Sequence, residues 1–305
     1  MANMEWGVPN TPETKFRIGS VTKQFTSTIV MRLVQAGKMT LQAKVTDYLP
    51  WYRKDTGSQI TVHELLTHTS GIPNFTSDAQ AIGDIDTHSY TFREVAEKYC
   101  SGNLEYEPGT KFVYDNSDYY LLGLIIEAVS GKSYEQNLKD EILTPLQMKD
   151  SGIDRPTPLL PKRAAGYDYS DGGYQNIYYI NPEPTTYAAG AMYSTVDDLN
   201  RWAKALFAGR MLTAESQATL LKPFLGKYAY GFYVNAFTPK GAKKAVTVIG
   251  HNGGIPGFSS SVLHFVEDDI TIILTDNTTV HHRGNLENIS VGILRVLLNL
   301  TQLVS

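Results

Sequence analysis

Between Phe16 and Gly37 apolar residues recur at helical spacing. Val21, Phe25, Ile29 and Leu33 stand four apart, Val30 and Val34 widen the stripe, and Gly37 marks a stop. The pattern predicts a largely buried helix. A second apolar run, Tyr119 to Val129, closed by Ser130-Gly131, predicts another, preceded by the turn Glu107-Pro108-Gly109-Thr110 and the loop 111–116. Thr61 and Glu64 form a capping pair for a short helix ending at Leu66, and Thr195 and Asp198 open one that stops at Gly209. The last third changes period. Tyr230 to Phe237, Ala245 to Ile249, Ser259 to Val266 and Ile270 to Thr275 are β-branched or aromatic runs that predict an antiparallel meander, the last two joined by Glu267-Asp268-Asp269. The glycine-rich stretch Gly250 to Phe258 reads as a connection where backbone approaches something closely. Asn288 to Leu303 predicts an amphipathic helix covering one sheet face.

From Trp51 to about Ser151 the helical pieces are broken by Gly and Pro, which suggests an all-α insertion. Gly166 to Gly190 is rich in tyrosine (Tyr167, Tyr169, Tyr174, Tyr178, Tyr179, Tyr187) and predicts irregular hairpins over the core, compatible with an aromatic substrate wall.

With 305 residues the chain can bury a sizeable core. A net charge of -4 supplies no basic field for nucleic acid. Cys100 is the single cysteine, so it forms no intrachain disulfide and no thiolate cluster, and it reads as a small buried apolar residue. No run reaches the roughly 18 apolar residues of a membrane span. The first ten residues contain no apolar leader core. The expectation is a soluble chain, cytoplasmic as written, unless an export signal preceded it. His63 and His68 in HELLTH are five apart, which removes the metalloprotease motif and points to helix-end and turn contacts instead.

The candidate chemistry begins at Ser20. Ser20 and Lys23 are three apart, on one helix face, so an amine stands within reach of a hydroxyl at a helix start that favours developing negative charge. Taken alone, an N-cap serine with a surface lysine is the commoner meaning of this spacing. Two further motifs follow in order: Tyr114-Asp115-Asn116 before a buried helix, and His251-Asn252-Gly253 at a strand end.

The ordered set resembles the serine β-lactamase and penicillin-binding-protein superfamily, whose signature opens with S-x-x-K. The Y-x-N and H-x-G motifs are similar to the class C β-lactamase-like branch, which holds D-alanyl-D-alanine carboxypeptidases, D-aminopeptidases, penicillin-binding protein 4*-like hydrolases and family VIII carboxylesterases. LLTHTSGIP, EPGTKFVYDNSDYYLLGLIIEAVSG and GHNGGIPGFSS extend the likeness over nearly the whole chain. The resemblance implies an α+β fold, with an antiparallel sheet domain of residues 1–50 and 166–305 and an inserted helical domain of residues 51–165. It also implies a serine hydrolase working through an acyl-enzyme on Ser20. Lys23 and Tyr114 would share the proton transfers, Asn116 would hold Lys23 and the substrate, and His251 would support Tyr114. The backbone N–H groups of Ser20 and Gly254 would form the oxyanion hole. Asn252 and Gly253 would contact substrate, and no metal or organic cofactor is required. The substrate implied is a small ester, lactam or D-amino-acid peptide. Because the third motif lacks the lysine of K-T-G, ester or peptide chemistry is favoured over lactam hydrolysis; the alternative is a catalytically idle penicillin-binding or sensor protein.

Relatives of this kind carry an N-terminal helix and two strands ahead of the segment that starts this chain. Their lack would uncover a sheet edge, so dimerisation through that edge or reduced stability is expected, with a shortened gene or an engineered fragment as further explanations.

Overall fold

The computed structural model describes residues 1–177, 180–279 and 285–299. Its centre is helix α1, Thr22–Gln35, buried on nearly every side. A helix enclosed all round must pair its polar side chains internally. Thr26 donates to Ala188 O at 2.7 Å, Ser27 to Lys23 O at 2.9 Å and Thr28 to Gln24 O at 2.8 Å. Phe25 stacks on Trp202 with ring centroids 4.3 Å apart, and Trp202 Nε1 donates to Gln24 Oε1 at 3.0 Å. Trp202 belongs to the helix Val196–Phe207, which opens at the expected Thr195 cap.

Helix α2, Asn116–Ser130, packs against α1. Its Asp115 cap accepts from Ser117 N at 2.7 Å, and Gly131, at φ +70°, ends it in the left-handed conformation that glycine adopts without strain. The capping box of Thr61 and Glu64 forms as the spacing predicts.

The antiparallel sheet runs in sequence order: β1 Tyr233–Phe237, β2 Val246–Ile255, β3 Phe258–Phe265 and β4 Ile270–Asp276. One face meets the main core through Ile249, Val262 and Ile273. The other holds a separate cluster of Val246, Val248, Leu263, Phe265 and Ile272 beneath Leu294 of helix α3, Asn285–Leu297. A small three-stranded sheet joins Phe16–Arg17, Met192–Ser194 and Gly152–Ile153. The mixed helix and antiparallel sheet architecture is the α+β class expected from the sequence.

The boundaries differ in instructive ways. β1 starts at Tyr233 rather than Tyr230, because Tyr228 to Tyr230 turn inward as a separate buried segment. β2 continues through Ile255, so Gly250 to Ile255 is strand, and the connection shrinks to Pro256-Gly257. The glycines serve packing there: a Cβ on Gly253 would lie 1.9 Å from Ile18 O, and one on Gly250 2.1 Å from Val262 O. The expected hairpin forms from Tyr167–Ser170 and Gly173–Asn176. Tyr178 and Tyr179, and the expected end of the last helix at Leu303, lie outside the described residues.

Candidate active site

Ser20 sits in the tight turn Gly19–Val21 that leads into α1. Its side chain caps neither that turn nor the helix, which sets aside the N-cap role. Gly19 holds φ +48°, and a Cβ on it would meet the Gly254 backbone at 2.9 Å. The third-motif strand is thereby pressed against the turn that carries Ser20. Gly253 faces the same way, toward Ile18. By strand alternation Asn252 projects to the opposite face. There it lines a cavity of about 290 Å³ with Tyr233, Asn235 and Glu287.

Lys23 is completely buried, one helical turn beyond Ser20. Its Nζ stands 3.2 Å from Ser20 Oγ and donates to Asn116 Oδ1 at 2.6 Å and to Ala189 O at 2.9 Å. Burial pulls its pKa down to about 7, against a smaller upward pull from Asp115 and Asp118. Near neutrality the amine is therefore readily uncharged. A neutral amine has two N–H bonds and one lone pair; the two hydrogens suit Asn116 and Ala189, and the lone pair then points at the Ser20 hydroxyl.

Asn116 is fixed at both ends of its amide. Its Nδ2 donates to Thr76 Oγ1 at 2.7 Å, and Thr76 in turn donates to Asn74 Oδ1 at 2.9 Å. The Tyr114 ring lies 4.8 Å from Lys23 Nζ. Its hydroxyl is buried and, among the described residues, reaches no hydrogen-bond partner in good geometry. Burial keeps that phenol well above its ordinary value, although Ser20 is near enough to pull the other way. At neutral pH Tyr114 is a proton donor in waiting.

His251 enters from β2. Its Nδ1 faces Asn252 O at 2.5 Å and its Nε2 faces Tyr228 Oη at 3.1 Å. A carbonyl can only accept, so the ring proton sits on Nδ1, and Tyr228 donates to Nε2. Burial, with Lys23 adding to it, lowers the pKa to about 3, and the imidazole is neutral. Its ring is 5.8 Å from that of Tyr114 and makes no hydrogen bond to it. The support expected of His251 is thus packing and dipole, not charge.

The structure brings Ser20, Lys23, Tyr114, Asn116 and His251 together. It adds three groups for which no site role was expected: the Ala189 carbonyl, Tyr228 and His68. A backbone carbonyl leaves no sequence signal, and Tyr228 lies in no recurring pattern. His68 was visible in LLTHTSGIP, but its turn position hid that its ring points inward. Among the described residues no group of three or more His, Cys, Asp or Glu is arranged to hold a metal ion. The arrangement can deprotonate a serine hydroxyl with a buried amine and present a phenol to whatever leaves.

The family model described as Beta-lactamase matches residues 1–291. Protein flp of Staphylococcus aureus (strain MW2) is 28% identical over 284 residues, covering 88% of this chain and 54% of that protein. The chain spans about half the length of such curated relatives. The D-amino acid amidase from Ochrobactrum anthropi SV3, solved with L-phenylalanine amide, is 29% identical with TM-score 0.81, over 97% of this chain and 87% of that one. The octameric penicillin-binding protein homologue from Pyrococcus abyssi is 28% identical with TM-score 0.78, over 98% and 69%.

Proposed function

This chain belongs to the beta-lactamase family and is a serine hydrolase of that fold, and from that premise we propose that it acts through an acyl-enzyme on Ser20, as an esterase or D-amino-acid peptidase with weak or no β-lactamase activity. The observation that carries the proposal is Lys23: buried, 3.2 Å from Ser20 Oγ and with a pKa near 7. An amine so placed takes the serine proton as Oγ attacks the substrate carbonyl. This favours Lys23 over Tyr114 as the acylation base, since the phenol is far harder to ionise.

The developing oxyanion is assigned to the backbone N–H groups of Ser20 and Gly254, consistent with the Gly19 to Gly254 contact. Tyr114 relays the proton that Lys23 has taken to the departing alcohol or amine, which returns both groups to their resting state, and the same groups then activate water to release the acyl group. No cofactor enters these steps. The amide complex of the Ochrobactrum relative supports an amino-acid amide or peptide as one substrate class. Against efficient lactam hydrolysis stands the neutral His251, with both ring nitrogens engaged, where a lysine would meet a lactam carboxylate.

The proposal keeps the sheet unit of residues 1–50 and 166–305 and the helical unit of residues 51–165, with the site in the cleft between them. It also keeps self-association through the outer edge of β4, in line with the octameric relative; a light-scattering mass equal to one chain would remove that part. The main test is intact mass after incubation with a fluorophosphonate, beside Ser20→Ala. One adduct mapping to Ser20 and absent from the variant is expected. A folded protein without an adduct would instead make it an idle binding or sensor protein.

A further inference from the structure

Tyr114 poses a problem of restraint. Among the described residues its hydroxyl has no hydrogen-bond partner in good geometry to fix it, yet a proton donor must stand within a fraction of an ångström of its target. Whatever aims this ring must act from its backbone and its faces. One residue touches both.

His68 is fully buried, and its backbone is left-handed at φ +56°, a conformation that costs a non-glycine residue strain. Its carbonyl accepts from Val113 N at 3.0 Å, and its Nδ1 accepts from Asp115 N at 3.2 Å. Those are the backbone N–H groups of the residues immediately before and after Tyr114. Between them the imidazole lies against the tyrosine ring, centroids 4.5 Å apart. We infer that His68 is a positioning residue for Tyr114, gripping the backbone N–H of the residue on each side of it while its ring backs the phenol. The inference rests on the hydrolase reading given above.

The grip dictates the state of the ring. Nδ1 can accept the Asp115 N–H only if it carries no proton, so the proton is on Nε2. Among the described residues Nε2 has no hydrogen-bond acceptor, and the imidazole is surrounded by the rings of Tyr114, Tyr119 and Tyr228 at centroid distances of 4.5, 5.0 and 4.8 Å. Asp118 Oδ2 lies 3.2 Å from the same Nδ1. Burial drives the Asp118 carboxyl well up, so it stands there as a neutral acid sharing the one Nδ1 lone pair with the Asp115 N–H, not as a carboxylate drawing a ring proton. An imidazolium would turn an N–H against the Asp115 N–H and release the loop. Burial and the neighbouring Lys23 oppose that state. The backbone geometry points the same way: glycine or asparagine would adopt φ +56° with less strain, yet neither supplies a ring for Tyr114.

The test pairs His68→Phe, which keeps a flat ring but loses Nδ1, with His68→Asn, which restores an acceptor and tolerates the left-handed backbone. Turnover of p-nitrophenyl acetate, thermal melting and the Ser20 adduct are measured for each. For His68→Phe, kcat should fall about 100-fold with KM within about threefold. His68→Asn should recover about tenfold of that loss. Unchanged kcat in a cooperatively melting His68→Phe protein, or equal losses in the two variants, would overturn the inference. A wild-type protein without a Ser20 adduct would instead sink the hydrolase reading. The grip has its own readout, independent of activity and of how the variants fold: the ¹⁵N shifts of the wild-type ring should show His68 Nδ1 bare and Nε2 protonated. A proton on Nδ1 would refute it.

Discussion

Arg17 and Lys23 are six residues apart, both are cations and both are buried, yet the fold treats them in opposite ways. Arg17 Nε donates to Asp154 Oδ2 at 2.6 Å; that carboxylate is itself inaccessible and also takes Arg163 Nη1 at 2.8 Å. The Phe258 ring lies 5.6 Å from the guanidinium. Lys23 touches a hydroxyl, an amide oxygen and a carbonyl, all uncharged. Its two nearest carboxylates, Asp115 and Asp118, act only from a distance, and burial pushes both toward their neutral forms. A buried charge must be matched or surrendered. The match at Arg17 fastens the strand Phe16–Arg17, and the surrender at Lys23 leaves an amine able to take up a proton near neutrality.

The sharpest way to break the contrast is to remove the match. Asp154→Asn should strand a buried guanidinium and destabilise the fold by about 3–5 kcal/mol in urea denaturation. The protein that stays folded should still be labelled at Ser20 at close to the wild-type rate; loss of labelling without loss of stability would contradict the division of labour. Next in size, Lys23→Arg puts an unyielding charge where a surrendered one is needed. The turnover of p-nitrophenyl acetate should drop about 100-fold or more. Near-normal turnover would mean that Lys23 is not the base.

A smaller effect comes from pH alone. With a folded pKa near 7 and the neutral amine as the active form, kcat/KM should rise about tenfold from pH 6 to pH 8 and then level off. Stability should shift in the same direction. Lys23 falls from its ordinary 10.5 to about 7 on folding, so between those values the unfolded chain holds more protons, and raising the pH favours the fold. Measured against Lys23→Met, the stability deficit of the wild type should therefore narrow between pH 7 and pH 10. A constant difference would show that Lys23 keeps its charge.

Much of this was legible in the residues. The four-residue stripe from Val21 to Leu33 placed α1, and the spacing of Ser20 and Lys23 put amine and hydroxyl together, because a helix translates spacing directly into proximity. Gly250 to Ile255 misled, since glycine marks both loops and close strand packing, and only the position of Ile18 O decides between them. His68 was read as a turn contact and Tyr228 was not singled out, because their importance comes from what lies across the core, tens of residues away in sequence. Charge state was also out of reach: the distinction between Arg17 and Lys23 depends on Asp154 reaching one of them while no carboxylate contacts the other.

The contact at Gly253 reaches beyond the site. With 1.9 Å between a would-be Cβ and Ile18 O, and 2.9 Å at Gly19 opposite Gly254, no side chain can enter this seam without moving one backbone off the other. Variation is thus closed at Gly253 and, across the seam, at Gly19, and open at Asn252, whose side chain meets a cavity. A saturation library of this strand should be all but blank at 253 and populated at 252, whose side chain occupies the face turned away from Ser20.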